Sequence, residues 1–147
     1  SAFLTAKYAV PHMIEAGGGS IVNISSISGF ANQARAMAYS VTKAGLISLN
    51  KSQAINLAQH NIRANAVCPG SVKTSLVDCA IELTAAETGR TAKETRADWE
   101  SQYPTARFSR PAEIADLTLF LCLPRASNIT GASMVVDGGL MALLPDR

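Results

Sequence analysis

Residues 37–70 have the sequence MAYSVTKAGLISLNKSQAINLAQHNIRANAVCPG, and this stretch decides the fold. From Met37 to Gln59 apolar side chains recur at helical spacing, which predicts a long helix. Ile62–Val67 has the composition of a strand, and it leads into Pro69-Gly70, a pair that ends central strands. A long helix followed at once by a short strand indicates a protein that alternates the two element types.

The same alternation is present upstream of residues 37–70. Ser1–Glu15 carries apolar side chains at helical spacing, and the run Gly17-Gly18-Gly19 after it predicts a helix end and a turn. Ser20–Ile24 is a β-rich segment between that turn and the pair Ser25-Ser26, so it predicts a strand.

Downstream, the pattern becomes polar before it returns to helix and strand. Ser75–Tyr103 has short helical stretches and predicts a mobile excursion from the core, a candidate lid. Ser109 is expected to cap a helix that has Pro111 in its first turn and an apolar body to Leu123. Ala132–Val136 predicts the last strand.

This order of elements implies parallel strands joined by right-handed crossovers. The predicted fold class is therefore α/β, a parallel sheet with flanking helices. Three strands are fewer than the four to six of most sheets.

Composition restricts the classes of function. The 147 residues are 48% hydrophobic and 16% charged, which is typical of an ordinary globular domain. A net charge of +2 without any block of like charge gives no reason to expect a nucleic acid or membrane partner, so the expected ligand is small. The apolar stretch Ile114–Leu123 is too short to span a bilayer, and no targeting segment is visible, so a cytoplasmic location is expected.

The cysteines suggest neither a disulfide framework nor a metal site. Cys68, Cys79 and Cys122 are widely spaced, and only two histidines accompany them. We therefore expect no metal ion, and we expect each thiol to be a small buried apolar side chain in a reducing compartment.

Tyr39 and Lys43 lie four residues apart in the long predicted helix, so their side chains share one face. A nearby ammonium favours the ionised form of a phenol, which suits it to proton transfer. The alternative is an ordinary pair on a helix surface.

Two strand ends could face a ligand, because ligands of open parallel sheets bind beyond the carboxyl ends of the strands. Ser26 follows the first predicted strand, and its alternative role is a turn that bonds its own backbone. Pro69-Gly70 follows the second, with Val72 and Thr74 in the next loop, and its alternative role is a simple turn.

Taken together, these residues resemble the short-chain dehydrogenase/reductase family. The resemblance covers nearly the whole chain, in the family's order, in five segments: SIVNISSISG (20–29), YSVTKAG (39–45), NAVCPGSVKT (65–74), RFSRPAEIA (107–115) and ITGASMVVDGG (129–139).

The resemblance implies a catalytic set and a cofactor. Tyr39 matches the family's acid/base, and Lys43 matches the residue that activates it and binds the nicotinamide ribose. Ser26 matches the hydroxyl that orients the substrate oxygen, chosen over its neighbouring serines because it lies thirteen residues before Tyr39. The cofactor-binding residues implied for NAD or NADP are Tyr39, Lys43, Pro69, Gly70, Val72 and Thr74.

The resemblance also implies a substrate loop at about residues 75–105, with Trp99 and Tyr103 as apolar wall or, alternatively, as local packing. Asn23, Asn65 and Asp137 fall in matching segments and are interpreted as structural.

The sequence departs from the family at the cofactor's phosphates. The family's glycine-rich turn joins a strand to a helix, whereas Gly17-Gly18-Gly19 follows a helix and precedes a strand. Residues 1–147 therefore resemble the carboxyl-terminal part of one Rossmann-like domain whose first mononucleotide-binding half is absent. Such a chain is expected to leave an unpaired edge beside Ser20–Ile24.

Two hypotheses follow. In the first, the chain belongs to an NAD(P)-dependent oxidoreductase that interconverts a small carbonyl and a secondary alcohol, as a homodimer or homotetramer, although the 147 residues alone are not expected to be competent. In the second, it is a catalytically silent fragment that acts only in oligomerisation or binding.

Overall fold

The fold alternates helices and strands as the sequence predicts. A computed structural model describes residues 1–32 and 34–143 of the chain. In those residues the elements are α1 (Ala2–Glu15), β1 (Gly19–Ile24), α2 (Met37–Leu57), β2 (Ile62–Pro69), α3 (Ser75–Thr88), α4 (Ala92–Ser101), α5 (Pro111–Cys122) and β3 (Ser133–Val136).

The three strands form one parallel sheet in the order β1-β2-β3, which confirms the predicted α/β class. Gly19 pairs with Ile62 at the start of the β1–β2 ladder, and Pro69 pairs with Val136 at the end of the β2–β3 ladder. The strand predicted to stop at Val67 continues to Pro69, where Gly70 N–H donates the bond to the Val136 carbonyl (3.0 Å). The strand can therefore end at Pro69, which has no N–H, because the next residue donates the hydrogen bond to β3.

Helices cover the two faces of β2, because successive side chains of a strand point to opposite sides. Ala66 and Cys68 pack against Ile47 of α2. Val67 packs on the other face against Leu121 of α5. Burial of a side chain such as Leu121 contributes about 2 kcal/mol to folding, so α5 and α2 hold the carboxyl end of β2 from both sides.

Buried polar side chains fix the loops around the sheet. The Asn65 amide donates to the Ile129 carbonyl (2.7 Å) and accepts from Ala132 N–H (3.1 Å). The Asp137 carboxylate accepts the Gly139 and Met141 N–H groups (2.9 and 2.7 Å). Asn23 donates to Gln53 (2.8 Å). All three bond within the protein, in agreement with their structural interpretation.

Residues 75–103 are more ordered in their packing than the sequence predicts. They form two helices, α3 and α4, which we call the helical hairpin. Ile81 of α3 packs with Tyr103 and Phe108, and the two rings meet edge to face at 5.6 Å. The hairpin thus has an apolar cluster of its own, separate from the clusters on the two faces of β2, and its mobility as a lid stays a prediction.

The cap of α5 also differs from the prediction. Arg110, not Ser109, is the N-cap, and its N–H donates to the Glu113 carboxylate (2.7 Å). Ser109 instead forms a bridge with the loop after β2, and its N–H donates to the Ser71 carbonyl (3.0 Å). The Glu113 carboxylate accepts hydrogen bonds from the Arg107 guanidinium and from the Arg110 N–H, and these bonds lower its pKa to about 2. This carboxylate therefore stays charged at the helix N-terminus.

The cysteine prediction holds for one thiol and fails for two. Cys68 is buried in β2, whereas Cys79 and Cys122 are exposed. Cys79 lies on α3 and Cys122 at the end of α5. All three cysteines are free.

Helix α1 has no buried residue, and it exposes Phe3, Leu4 and Tyr8. Within residues 1–32 and 34–143, none of the helices combines the length and the apolar character needed to cross a membrane.

Candidate active site

A cavity of about 390 Å³ lies beyond the carboxyl ends of β1 and β2. We call it the strand-end cavity. It has walls from the loop after β1, from α2, from the loop after β2, from the helical hairpin and from the turn after β3. The lining residues are Ser26, Ile27, Ser28, Tyr39, Gly70, Ser71, Leu76, Val77, Ala80, Trp99, Gln102, Tyr103 and Leu140.

Ser26 enters the cavity at the end of β1. It is the N-cap of a short 3₁₀ turn, Ile27–Gly29, and its Oγ accepts the Ser28 N–H (3.1 Å). That bond uses one lone pair of the hydroxyl and leaves its proton able to donate toward the cavity. The turn-forming role and the ligand-facing role are therefore compatible in one side chain.

Tyr39 and Lys43 occupy one face of α2, as their spacing predicts. The Lys43 Nζ lies 5.5 Å from the centroid of the Tyr39 ring and donates to the Ile24 carbonyl (3.0 Å). Tyr39 is 45% exposed, and in the described part of the chain its hydroxyl has no hydrogen-bond partner. The ammonium is thus anchored to the end of β1, and the phenol remains available to a ligand.

The contact between the β1 loop and α2 depends on Ser25 and Gly29. The Ser25 hydroxyl donates to the Lys43 carbonyl (2.8 Å). A Cβ on Gly29 would lie 2.7 Å from the Ile47 side chain and 3.0 Å from the Lys43 backbone, so only glycine lets the loop approach the helix this closely. Ser26 and Lys43 therefore have fixed positions relative to each other.

The buried thiol beneath this contact is electrically neutral. Desolvation by burial raises the pKa of Cys68, an effect that outweighs the hydrogen bond from Ser25 and the positive charge of Lys43. Because the thiol stays protonated at neutral pH, it does not neutralise the Lys43 ammonium.

The loop after β2 is tied to the end of the helical hairpin by Tyr103. Its hydroxyl accepts the Ser71 N–H (2.9 Å) and donates to the Ser71 Oγ (2.8 Å). A Cβ on Gly70 would lie 3.1 Å from both Asp137 and the Tyr103 ring. Tyr103 is therefore both cavity wall and local packing, the two roles that the sequence leaves open.

The residues predicted to bind a cofactor divide among three surfaces. Tyr39 and Gly70 line the strand-end cavity. Pro69, Val72 and Thr74 instead line a wide, largely apolar groove with Ile24 against one side of α5, which we call the α5 groove. Lys43 lines a third pocket, beside Phe3 of α1, and its Nζ donates to the carbonyl of Ile24, a residue of the α5 groove.

Sequence reasoning identified Trp99 and Tyr103 in the hairpin wall but missed the rest of it. Leu76 and Ala80 lie one turn apart at the start of α3, and Val77 and Gln102 complete this side of the cavity. The spacing of Leu76 and Ala80 indicates an apolar face of α3. It does not distinguish a face that lines a cavity from one that packs in the core. In the described ranges, no three metal-ligating side chains come together.

Known proteins are similar to this chain in sequence and in fold. The model of a family described as enoyl-(acyl carrier protein) reductase matches residues 1–141. The cis-4-hydroxycyclohexanecarboxylate dehydrogenase of Sinomonas cyclohexanicum is 41% identical over 140 residues, which are 95% of this chain and 52% of that protein.

Two solved structures extend the likeness to the fold. Ligand-free aldohexose dehydrogenase of Thermoplasma acidophilum aligns with a TM-score of 0.91 at 37% identity, over 99% of this chain and 57% of that one. A variant of actinorhodin polyketide ketoreductase with NADPH aligns with a TM-score of 0.83 at 33% identity, over 87% of this chain and 49% of that one.

The chain belongs to the short-chain dehydrogenase/reductase family, as its five motif segments predict. The proteins it resembles are oxidoreductases. The chain spans about half the length of the curated relatives it matches.

Proposed function

We propose that this chain carries the catalytic centre of an NAD- or NADP-dependent oxidoreductase that interconverts a carbonyl and a secondary alcohol. The observation that carries the proposal is the meeting of two hydroxyls, those of Ser26 and Tyr39, in one cavity, with the Lys43 ammonium 5.5 Å from the Tyr39 ring. This set polarises an oxygen and moves one proton, which is what the protein must supply in such a reaction.

Tyr39 acts as the acid and base. In reduction its O–H bond breaks, and the proton goes to the carbonyl oxygen as the carbonyl carbon receives a hydride. In oxidation the phenolate accepts the proton of the alcohol. Ser26 donates a hydrogen bond to the same oxygen, so negative charge that develops there is stabilised by two donors.

A nicotinamide, when bound, supplies or accepts the hydride. The side chains fit its nicotinamide ribose end. Lys43 has three N–H donors and gives one to Ile24, which leaves two for sugar hydroxyls. Pro69 and Val72 give the α5 groove an apolar floor for a flat ring, with Thr74 at its edge. The run Gly17–Gly19 lies between α1 and β1, so it does not present a helix N-terminus to the phosphates.

The relatives support this chemistry. One is named as a cis-4-hydroxycyclohexanecarboxylate dehydrogenase, after a secondary alcohol that also carries a carboxylate, and one ketoreductase structure contains NADPH. Neither name fixes the choice between NAD and NADP for this chain.

The proposal is tested on the protein purified from the organism that makes it. Mixed with a panel of ketones and secondary alcohols, it is expected to change the absorbance of NADH or NADPH. Lys43→Met should weaken nicotinamide binding about tenfold to a hundredfold, because the ammonium contacts that position the ribose are lost. Titration of nicotinamide fluorescence measures this.

Lys7→Met is the matched control. The Lys7 Nζ lies 5.8 Å from the Tyr8 ring centroid, on the surface of α1 and away from both the cavity and the groove. It should leave nicotinamide binding unchanged. A folded protein that binds neither nicotinamide and turns over no ketone or alcohol would contradict the proposal and favour a silent binding fragment.

A further inference from the structure

We infer that the substrate of the strand-end cavity is an uncharged ketone or secondary alcohol with an aliphatic or alicyclic body, an inference that rests on the proposed function. Among residues 1–32 and 34–143, those that line the cavity include no charged side chain. They place polar groups on the wall that holds the reacting oxygen and apolar groups opposite.

The apolar wall comes from the helical hairpin and the turn after β3. Leu76, Val77 and Ala80 of α3 face Trp99 of α4, and Leu140 lies beside them. Leu76 is 75% exposed, so covering it with a ligand removes apolar surface from water. A hydrocarbon body fits this surface, and the volume of about 390 Å³ is at the small end of the range for ligand sites.

Three cations of the helical hairpin and of the loop before it have carboxylate partners. Lys73 Nζ lies 3.9 Å from Glu100, and Arg90 lies 3.3 Å from Asp98. Arg96 forms an ion pair with Asp78. A carboxylate or phosphate held against this wall would therefore meet no unpaired cation among these three, and the share of its water that the apolar wall displaces would not be replaced.

One neutral polar group remains on the hairpin side. Gln102, the C-cap residue of α4, lines the cavity and carries both a donor and an acceptor. It can bond a neutral oxygen of the substrate that is remote from the reacting carbon. Gln102 is also the position where a cation would change selectivity without disturbing the buried cluster.

Two substrates that differ only in charge test the inference. One is cyclohexanone with a methyl group opposite the carbonyl, and the other is the same ring with a carboxylate there. We expect kcat/KM to favour the methyl compound by about a hundredfold or more, through KM, because the carboxylate has no cation to meet.

The variant Gln102→Arg should reduce that preference by about tenfold, since it places a guanidinium in the wall. Gln59→Arg adds the same charge on an exposed turn after α2 and should leave the preference unchanged. Equal or better use of the carboxylated ring by the unmodified protein would overturn the inference and leave the proposed function intact. So would a Gln102→Arg protein that keeps the preference. If neither ring is used while another ketone or alcohol of the panel is turned over, the inference alone fails. If the protein binds neither nicotinamide and turns over nothing in the panel, the proposed function fails, and the inference fails with it.

Discussion

The two walls of the strand-end cavity are built in different ways. The wall from the β1 loop and α2 is held by polar bonds between near neighbours in the fold, such as Ser25 to the Lys43 carbonyl and Lys43 to the Ile24 carbonyl. The helical hairpin is held by an apolar cluster around Phe108, and its charged pairs lie on the surface.

This difference separates chemistry from selectivity. Bonds of 2.8 and 3.0 Å to backbone carbonyls fix side chains in direction as well as in position, which proton transfer requires. Apolar packing fixes a surface but tolerates changes of shape and volume. We therefore expect variants that remove a cavity-lining hydroxyl of the first wall to change rate, and variants of the hairpin to change stability or substrate choice.

Apart from the effect expected at Tyr39, the largest effect is expected at Ser26. Ser26→Ala removes one of the two hydroxyls that meet the substrate oxygen, so kcat should fall about a hundredfold, while the lost cap costs about 1 kcal/mol of stability. Steady-state kinetics and thermal unfolding of the same preparation measure the two effects.

Ser25→Ala is the adjacent control, with the same change of atoms. The Ser25 hydroxyl bonds the Lys43 carbonyl and does not line the cavity. It should lower stability by about 1 kcal/mol and change kcat much less. A larger loss of kcat in Ser25→Ala than in Ser26→Ala would show that the catalytic serine has been misassigned.

A smaller effect, on stability and not on rate, is expected in the hairpin. Tyr103→Phe removes the hydroxyl that bonds Ser71 twice, so a partly buried N–H loses its acceptor at a cost of about 1–3 kcal/mol. The free energy of unfolding in urea should fall by that amount, and kcat should change little. A variant of unchanged stability with a collapsed kcat would place Tyr103 with the chemistry.

The smallest effect is expected at the start of α4. Hydrogen bonds from the Thr91 hydroxyl and N–H lower the pKa of Glu94 below its ordinary value of 4.5. The folded pKa is the lower one, so Glu94 stabilises the hairpin above pH 4.5, and this stabilisation is lost as the pH falls below that value.

Glu94→Gln should therefore lower the thermal midpoint slightly at pH 7 and by less at pH 3, without any effect on kcat. Thermal unfolding of both proteins across this range measures the difference. A difference between them that grows on acidification would contradict the assigned direction of the shift.

The sequence predicts the first wall well because its geometry is local. The spacing of Tyr39 and Lys43 places both side chains on one face of a helix. The position of Ser26 directly after a strand places it at the carboxyl edge of the sheet. The parallel order of three strands also follows from the alternation of elements.

The hairpin was harder to predict, since polar residues such as Glu82 and Lys93 dominate its sequence. The apolar cluster of the hairpin depends on the contact of Ile81 with Phe108, which lies beyond the hairpin. The local sequence pattern of the hairpin does not indicate this contact. The cap of α5 shows the same limit. Ser109 is the better capping residue by type, but its pairing with the loop after β2 leaves the cap to Arg110.

The central claim is that Tyr39 moves the proton, and comparing two tyrosine variants tests it most directly. Tyr39→Phe and Tyr8→Phe each remove one exposed hydroxyl from a helix, and each ring has a lysine ammonium above it, at 5.5 and 5.8 Å. Measured as nicotinamide-dependent turnover, Tyr39→Phe should lose a factor of about a hundred or more in kcat with an unchanged thermal midpoint, and Tyr8→Phe should retain full activity. Full turnover by the Tyr39→Phe protein would contradict the account.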